Sequence, residues 1–169
     1  MIQKKVCMLG AFAVGKSSLV TRFTHNTFTE KYLTTVGVRV EKATLQIGEK
    51  AVHLILWDLA GEDDFHQVRT SYLRGASGCL LVVDGTRRAT LDTAYLLRQR
   101  TLDAIGPVPF VLLLNKADLA HEWEVGEDAV AELSTTGLWV IRTSAKIGQG
   151  VEEAYVTLAR NMLEEQPWA

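Results

Sequence analysis

The octapeptide Gly10-Ala11-Phe12-Ala13-Val14-Gly15-Lys16-Ser17 constrains this chain more than any other segment. It fits a strict pattern: Gly, four residues, then Gly-Lys followed by Ser or Thr. Before it stands an apolar run, Lys5 to Leu9, that reads as a buried strand; after it, Lys16 to about His25 reads as a helix. In that setting the loop can turn its N–H groups inward around an anion. Gly10 and Gly15 allow backbone conformations and close approach that a Cβ would obstruct. The helix offers its positive N-terminal end to the same anion. The pattern predicts that Ala13, Val14, Gly15, Lys16, Ser17 and Ser18 hold phosphate groups. Lys16 is expected to reach the β- and γ-phosphates, and the Ser17 hydroxyl to ligate Mg²⁺.

Around this loop, short apolar runs alternate with helical patterns, which predicts an α/β chain with helices on both faces of a sheet. Val38 to Ile47 and Ala51 to Asp58 read as two strands joined at Gly48-Glu49-Lys50. A connection that short implies a hairpin, so one strand should run antiparallel. Further buried strands are expected at Gly78 to Asp84, Pro109 to Asn115 and Leu138 to Thr143, with a helix over Leu91 to Ile105. A last helix is marked by Val151, Ala154, Tyr155, Leu158, Ala159, Met162 and Leu163 at helical spacing. That stripe reads as core packing. No repeat or linker interrupts the sequence, so residues 1–169 read as one domain.

Composition narrows the function. The formal net charge is −2, which gives no footprint for nucleic acid or an acidic membrane. Cys7 and Cys79 both sit in apolar runs and read as reduced, buried residues. No apolar stretch is long enough to span a bilayer. The N-terminus lacks a secretion signal, Ile2 stands where myristoylation needs glycine, and the last four residues hold no cysteine for prenylation. The expectation is a cytoplasmic monomer without a lipid anchor. His25, His53, His66 and His121 are scattered without metal-ligand spacing.

Which nucleotide the loop would hold is suggested by Asn115-Lys116-Ala117-Asp118, directly after a buried strand. A carboxylate at Asp118 can accept two hydrogen bonds from the N–H edge of guanine. Adenine lacks that donor pair and would leave the carboxylate unpaired. Asn115 and Lys116 can brace the loop and cover the base. Near the next strand end lies Thr143-Ser144-Ala145-Lys146, where the Ala145 N–H can donate to the guanine carbonyl. A P-loop kinase or ATPase conflicts with this base-reading segment.

With these motifs in order, the sequence resembles the Ras superfamily of small GTPases, and within it the Rab branch, along nearly its whole length. Thr27-Phe28-Thr29-Glu30-Lys31-Tyr32 and Thr35-Val36-Gly37 resemble the first switch of that family, and Trp57-Asp58-Leu59-Ala60-Gly61 the start of the second. Ser71-Tyr72-Leu73-Arg74-Gly75-Ala76 and Ser144-Ala145-Lys146 continue in the same order. The resemblance implies a P-loop NTPase three-layer sandwich: a six-stranded, mostly parallel sheet with one antiparallel strand and about five helices. It implies a switch driven by GTP and GDP, with effectors, exchange factors and activating proteins as partners at the two switches. Phe28 would pack on the guanine opposite Lys116. Thr35 would bind Mg²⁺ and the γ-phosphate, Asp58 would hold Mg²⁺ through a water, and Gly61 would donate its N–H to the γ-phosphate. Ser144, Ala145 and Lys146 would complete the base site.

Three departures bear on turnover and recruitment. The position after Ala60-Gly61 carries Glu62 where the family has a water-orienting Gln. An ionised carboxylate accepts from water but cannot donate, so Glu62 is either a water-positioner or an exposed acid. Phe12 stands where relatives have a small residue; its ring can crowd a partner's arginine or fold over the site. The chain ends at Ala169 where relatives extend to a prenylated cysteine, which fits a soluble prokaryotic relative or a domain of something longer. Two readings stay open: a GTPase with a low intrinsic rate, and a hydrolysis-impaired, nucleotide-bound interaction module.

Overall fold

The computed structural model describes residues 1–28, 37–61 and 68–164. Strand β1 (Ile2–Gly10) runs up the middle of the chain's single six-stranded sheet and delivers the Gly-rich loop to α1 (Lys16–His25). Strands β2 (Val38–Ile47) and β3 (Lys50–Leu59) form the antiparallel hairpin. The register pairs Ile47 with Lys50, so the turn is Gly48-Glu49 alone and Lys50 belongs to the strand rather than to the connection. Two-residue turns match the twist of paired strands, and Gly48 supplies the positive φ of 61° they demand. The short α2 (Thr70–Leu73) precedes β4 (Gly78–Asp84), α3 (Ala89–Ile105) and β5 (Phe110–Asn115). A 3₁₀ segment over Ala117–Glu122, then α4 (Glu127–Ser134), β6 (Trp139–Arg142) and α5 (Val151–Leu163) complete the order.

The strand order is β2-β3-β1-β4-β5-β6, with every neighbouring pair parallel except β2 and β3. This is the α/β three-layer arrangement that the sequence predicts. Side chains alternate between two faces along each strand, and the buried residues divide accordingly. Val6, Met8, Leu80, Val82, Val111 and Leu113 point into one layer with α1 and α5. Cys7, Leu9, Leu81, Val83, Leu112 and Leu114 point into the other with α3 and α4. Strands β4 and β5, apolar up to Asp84 and Asn115 at their ends, are buried at every position, because helices cover both faces. Cys7 and Cys79 are register partners on β1 and β4; both are buried and reduced.

Strand β1 lies between β3 and β4, and the chain crosses from one side of it to the other. Open parallel sheets bind ligands at such a switch point, outside the carboxyl ends of the strands. Gly10, Leu59, Asp84 and Asn115 end their strands on this rim. Among the described residues no helix is long and apolar enough to cross a membrane, and no cluster of His, Cys, Asp and Glu could hold a metal. His66 lies outside the described residues.

Candidate nucleotide-binding site

The loop after β1 is held tight by the residues that the pattern demands. A Cβ on Gly10 would stand 2.7 Å from the Val82 carbonyl oxygen. Gly15 begins α1 at φ 104°, where L side chains are strained, and a Cβ there would overlap the Asn115 amide. Ala13 also takes a left-handed backbone, φ 64°. Three successive carbonyls are tied from outside the loop. Arg87 Nη2 donates to the Phe12 oxygen at 2.8 Å, Lys116 Nζ to that of Ala13 at 3.4 Å, and Asn115 Nδ2 to that of Val14 at 2.9 Å.

Lys16 is 6% exposed and donates to the Gly10 and Ala11 carbonyls at 3.4 and 3.2 Å. Burial pulls its pKa down to about 8, against the attraction of Asp58. Beside it, the Ser17 hydroxyl donates to Asp58 Oδ2. Asp58 is fully buried, and among the described residues its Oδ1 has no hydrogen-bond partner. Burial raises the Asp58 pKa, and Ser17, Lys16 and Arg39 do not bring it back. A hydroxyl and a buried carboxylate with an unsatisfied oxygen suit a hard divalent cation such as Mg²⁺, which binds through oxygen ligands. Thr35 and Glu62, assigned to the same end from sequence, lie outside the described residues. Gly61 lies against the loop itself: a Cβ on it would stand 2.6 Å from Phe12 Cα and 3.0 Å from the Ala11 oxygen. Phe12, whose backbone lies beside Gly61, is 37% exposed.

At the other end of the rim, buried Asn115 accepts from the Thr143 hydroxyl at 3.0 Å, joining the ends of β5 and β6. Lys116 takes a left-handed backbone, φ 70°, which turns the chain sharply out of β5. Asp118 accepts from the Ser144 hydroxyl at 2.7 Å, so the two base-reading segments meet. Ala145 is buried and Lys146 exposed. Phe28 is half-buried against the core layer of α1 and α5.

Several residues that hold the site escape a reading by motif. Arg22 on α1 donates to the carbonyls of Ala145 and Lys146 at 2.7 and 2.6 Å and fixes that segment. Asp84 accepts from Lys116 Nζ at 2.8 Å and Arg87 Nε at 3.0 Å through Oδ2. Through Oδ1 it accepts from the Thr86 N–H at 2.9 Å and the Thr86 hydroxyl at 2.6 Å. Burial pushes the Asp84 pKa up, but Lys116, Thr86 and Arg87 together outweigh it and hold the carboxyl below its ordinary value. Trp123 donates from Nε1 to the Lys116 carbonyl at 2.9 Å, and its ring fills the space beside Gly85 that a Cβ would enter. An Asp at the end of a buried strand, followed by Thr and Arg, is the one signal that sequence held for this group.

A model of the Ras family matches residues 5–164 of the chain. The chain is similar to the Ras-related protein RABA6a of Arabidopsis thaliana, 36% identical over 156 residues, which cover 91% of this chain and 67% of that protein. It is 36% identical to the Ras-related protein Rab11C of Lotus japonicus over 156 residues, covering 91% and 72% of the two chains. With the Ras-related protein Rab-8B of Pongo abelii it shares 32% identity over 161 residues, 94% of this chain and 78% of that one.

Proposed function

This chain belongs to the Ras family of small GTPases and is similar to Rab-type members, and from that premise we propose how its own residues run the switch. GTP or GDP lies along the rim, its phosphates in the loop from Ala13 to Ser18 and its guanine against Asp118, Ala145, Lys116 and Phe28. Ser17, Thr35 and, through a water, Asp58 would hold Mg²⁺. When bound, Mg²⁺ neutralises charge on the phosphate oxygens.

Lys16 and the loop N–H groups meet the negative charge that grows on the phosphates as the γ-phosphoryl group leaves. Glu62 would accept a hydrogen bond from the attacking water, or stand as an exposed acid outside the chemistry. Thr35 and Gly61 contact the γ-phosphate only in the GTP form. Its loss therefore releases both segments, which is how effectors, exchange factors and activating proteins would tell the two forms apart. What supports this reading above all is one arrangement: Lys16, Ser17 and the under-satisfied Asp58 at one end of a rim that carries Asp118 and Ser144 at the other.

In this reading hydrolysis is slow, or is activated without an arginine in the usual place, because Phe12 stands beside Gly61 where a small residue leaves room for a partner's arginine. The test is to identify the nucleotide that co-purifies, then follow γ-phosphate release in a single turnover with Mg²⁺. Guanine nucleotide and slow release are expected, with Phe12→Gly at least about tenfold faster when activated, a small part of what an arginine finger supplies. An adenine nucleotide would refute the base assignment. Unchanged turnover in Phe12→Gly would refute the role of Phe12. GTP that persists for days would make the chain an interaction module rather than a cycling switch.

A further inference from the structure

We infer that Asp84 is a positioning residue for the phosphate loop, acting through Arg87 and Lys116 to aim two of its N–H groups at the nucleotide. The inference rests on the guanine-nucleotide site proposed above and concerns what keeps that site in shape.

Two cations share one oxygen of Asp84. Oδ2 accepts from Lys116 Nζ at 2.8 Å and from Arg87 Nε at 3.0 Å. Each of those cations also reaches the loop: Arg87 Nη2 donates to the Phe12 carbonyl, and Lys116 Nζ to the Ala13 carbonyl. The peptide bonds are trans, and a trans peptide points its N–H opposite to its C=O. Pulling the Phe12 oxygen outward therefore turns the Ala13 N–H inward, and pulling the Ala13 oxygen outward turns the Val14 N–H inward. Asn115 does the same for Gly15 through the Val14 carbonyl. Inward-facing N–H groups on successive residues are what an anion-binding loop consists of.

Asp84 is suited to anchor this arrangement. It is buried at the end of β4, next to β1 in the sheet, so its position is set by the core. Its other oxygen is fixed by both donors of Thr86. Lys116 belongs to the base-reading segment and Arg87 to the turn before α3, so one carboxylate ties both to the phosphate loop. Charge-assisted hydrogen bonds of this kind are the strong ones. An amide in its place keeps the shape, yet turns an N–H₂ or a weaker acceptor toward two cations.

The test measures release of a fluorescent GDP derivative from the Mg²⁺-loaded protein, together with the ³¹P resonance of the bound β-phosphate. Asp84→Asn is expected to release GDP about tenfold faster and Arg87→Met about threefold faster, as loss of charged hydrogen bonds implies. The double variant should release no faster than Asp84→Asn, because both changes break one chain of contacts. The β-phosphate resonance should move in both single variants. Release rates equal to the wild type, or effects that multiply independently, would overturn the inference. So would faster release with an unmoved resonance, which a loss of general stability predicts. Arg87 is 42% exposed at its side chain, so Arg87→Met tests the claim even if Asp84→Asn does not fold. A wild-type protein that retains no GDP derivative would instead refute the guanine-nucleotide reading, and this inference with it.

Discussion

Asp58 and Asp84 flank β1 from opposite sides, one near the end of β3 and the other at the end of β4, and they are built in opposite ways. Both are buried. Asp84 receives four donors from its own chain and sits below its ordinary pKa despite burial. Asp58 receives the Ser17 hydroxyl at one oxygen, has no partner at the other, and sits above its ordinary pKa. A buried acceptor left unmade costs free energy, and proteins tolerate such a cost where a ligand removes it. The wall on the β4 side is thus finished by the protein, while the wall on the β3 side keeps an oxygen without a partner among the described residues.

The largest effect that can break this comparison is at Asp58. Asp58→Ala is expected to weaken the Mg²⁺ dependence of GDP retention by about 10–100-fold, the range for losing an outer-sphere partner of a metal. Titrating Mg²⁺ against the GDP release rate measures it. If the variant keeps the wild-type Mg²⁺ response, the unsatisfied oxygen of Asp58 has nothing to do with a cation. Asp84→Asn, by contrast, should release GDP faster at every Mg²⁺ concentration.

Stability of the ligand-stripped protein sharpens the same contrast. Asp84→Asn is expected to cost about 1–3 kcal/mol near neutral pH, because it leaves Lys116 and Arg87 without their shared acceptor. Asp58→Asn should be close to neutral: it relieves a buried charge but deprives buried Lys16 of its nearest anion. The sign with pH follows for Asp84. Its folded pKa is depressed, so its contribution is present above the ordinary carboxyl pKa and disappears as pH falls through the lower folded value. The gap between wild type and Asp84→Asn in urea unfolding should therefore close in acid. A gap that stays constant from neutral pH into acid would mean that the carboxylate's charge is not what stabilises the turn.

The two walls also differ in how far sequence alone discloses them. Ser17 and Asp58 stand out in the sequence because the proposed phosphate and Mg²⁺ would demand a hydroxyl and a carboxylate at set places after set strands, and the structure brings the two side chains into contact. The strands are legible for a related reason: burial on both faces writes continuous apolar runs at β4 and β5. Asp84, Thr86, Arg87, Arg22 and Trp123 are not. They touch other parts of the protein rather than the ligand, some across long stretches of chain: 75 residues from Arg87 to Phe12 and 124 from Arg22 to Lys146. No local pattern records such a contact, since any chain that brings a cation to a carbonyl from that side will serve. The string Gly48-Glu49-Lys50 places the hairpin turn one residue too long, because the pairing register fixes where the strand resumes, and Lys50 pairs with Ile47.

Trp123 supplies the smallest and most pointed test, because it braces the finished wall from behind. Its indole N–H holds the carbonyl of Lys116 at 2.9 Å while Lys116 sits in a left-handed conformation that a lysine adopts only when held. Its ring lies against Gly85, and the Gly85 carbonyl in turn accepts from the N–H groups of Glu124 and Val125. Trp123→Phe keeps most of the packing and removes the single hydrogen bond, worth about 1 kcal/mol. Because Lys116 remains tied by its ammonium to Asp84, GDP release should quicken only about fivefold, the equivalent of that loss. In the Asp84→Asn background the same change should do more, since the Lys116 side chain then keeps only its contact with the Ala13 carbonyl. An effect in the wild-type background as large as that of Asp84→Asn would move the anchor of the base-reading loop from the carboxylate to the indole.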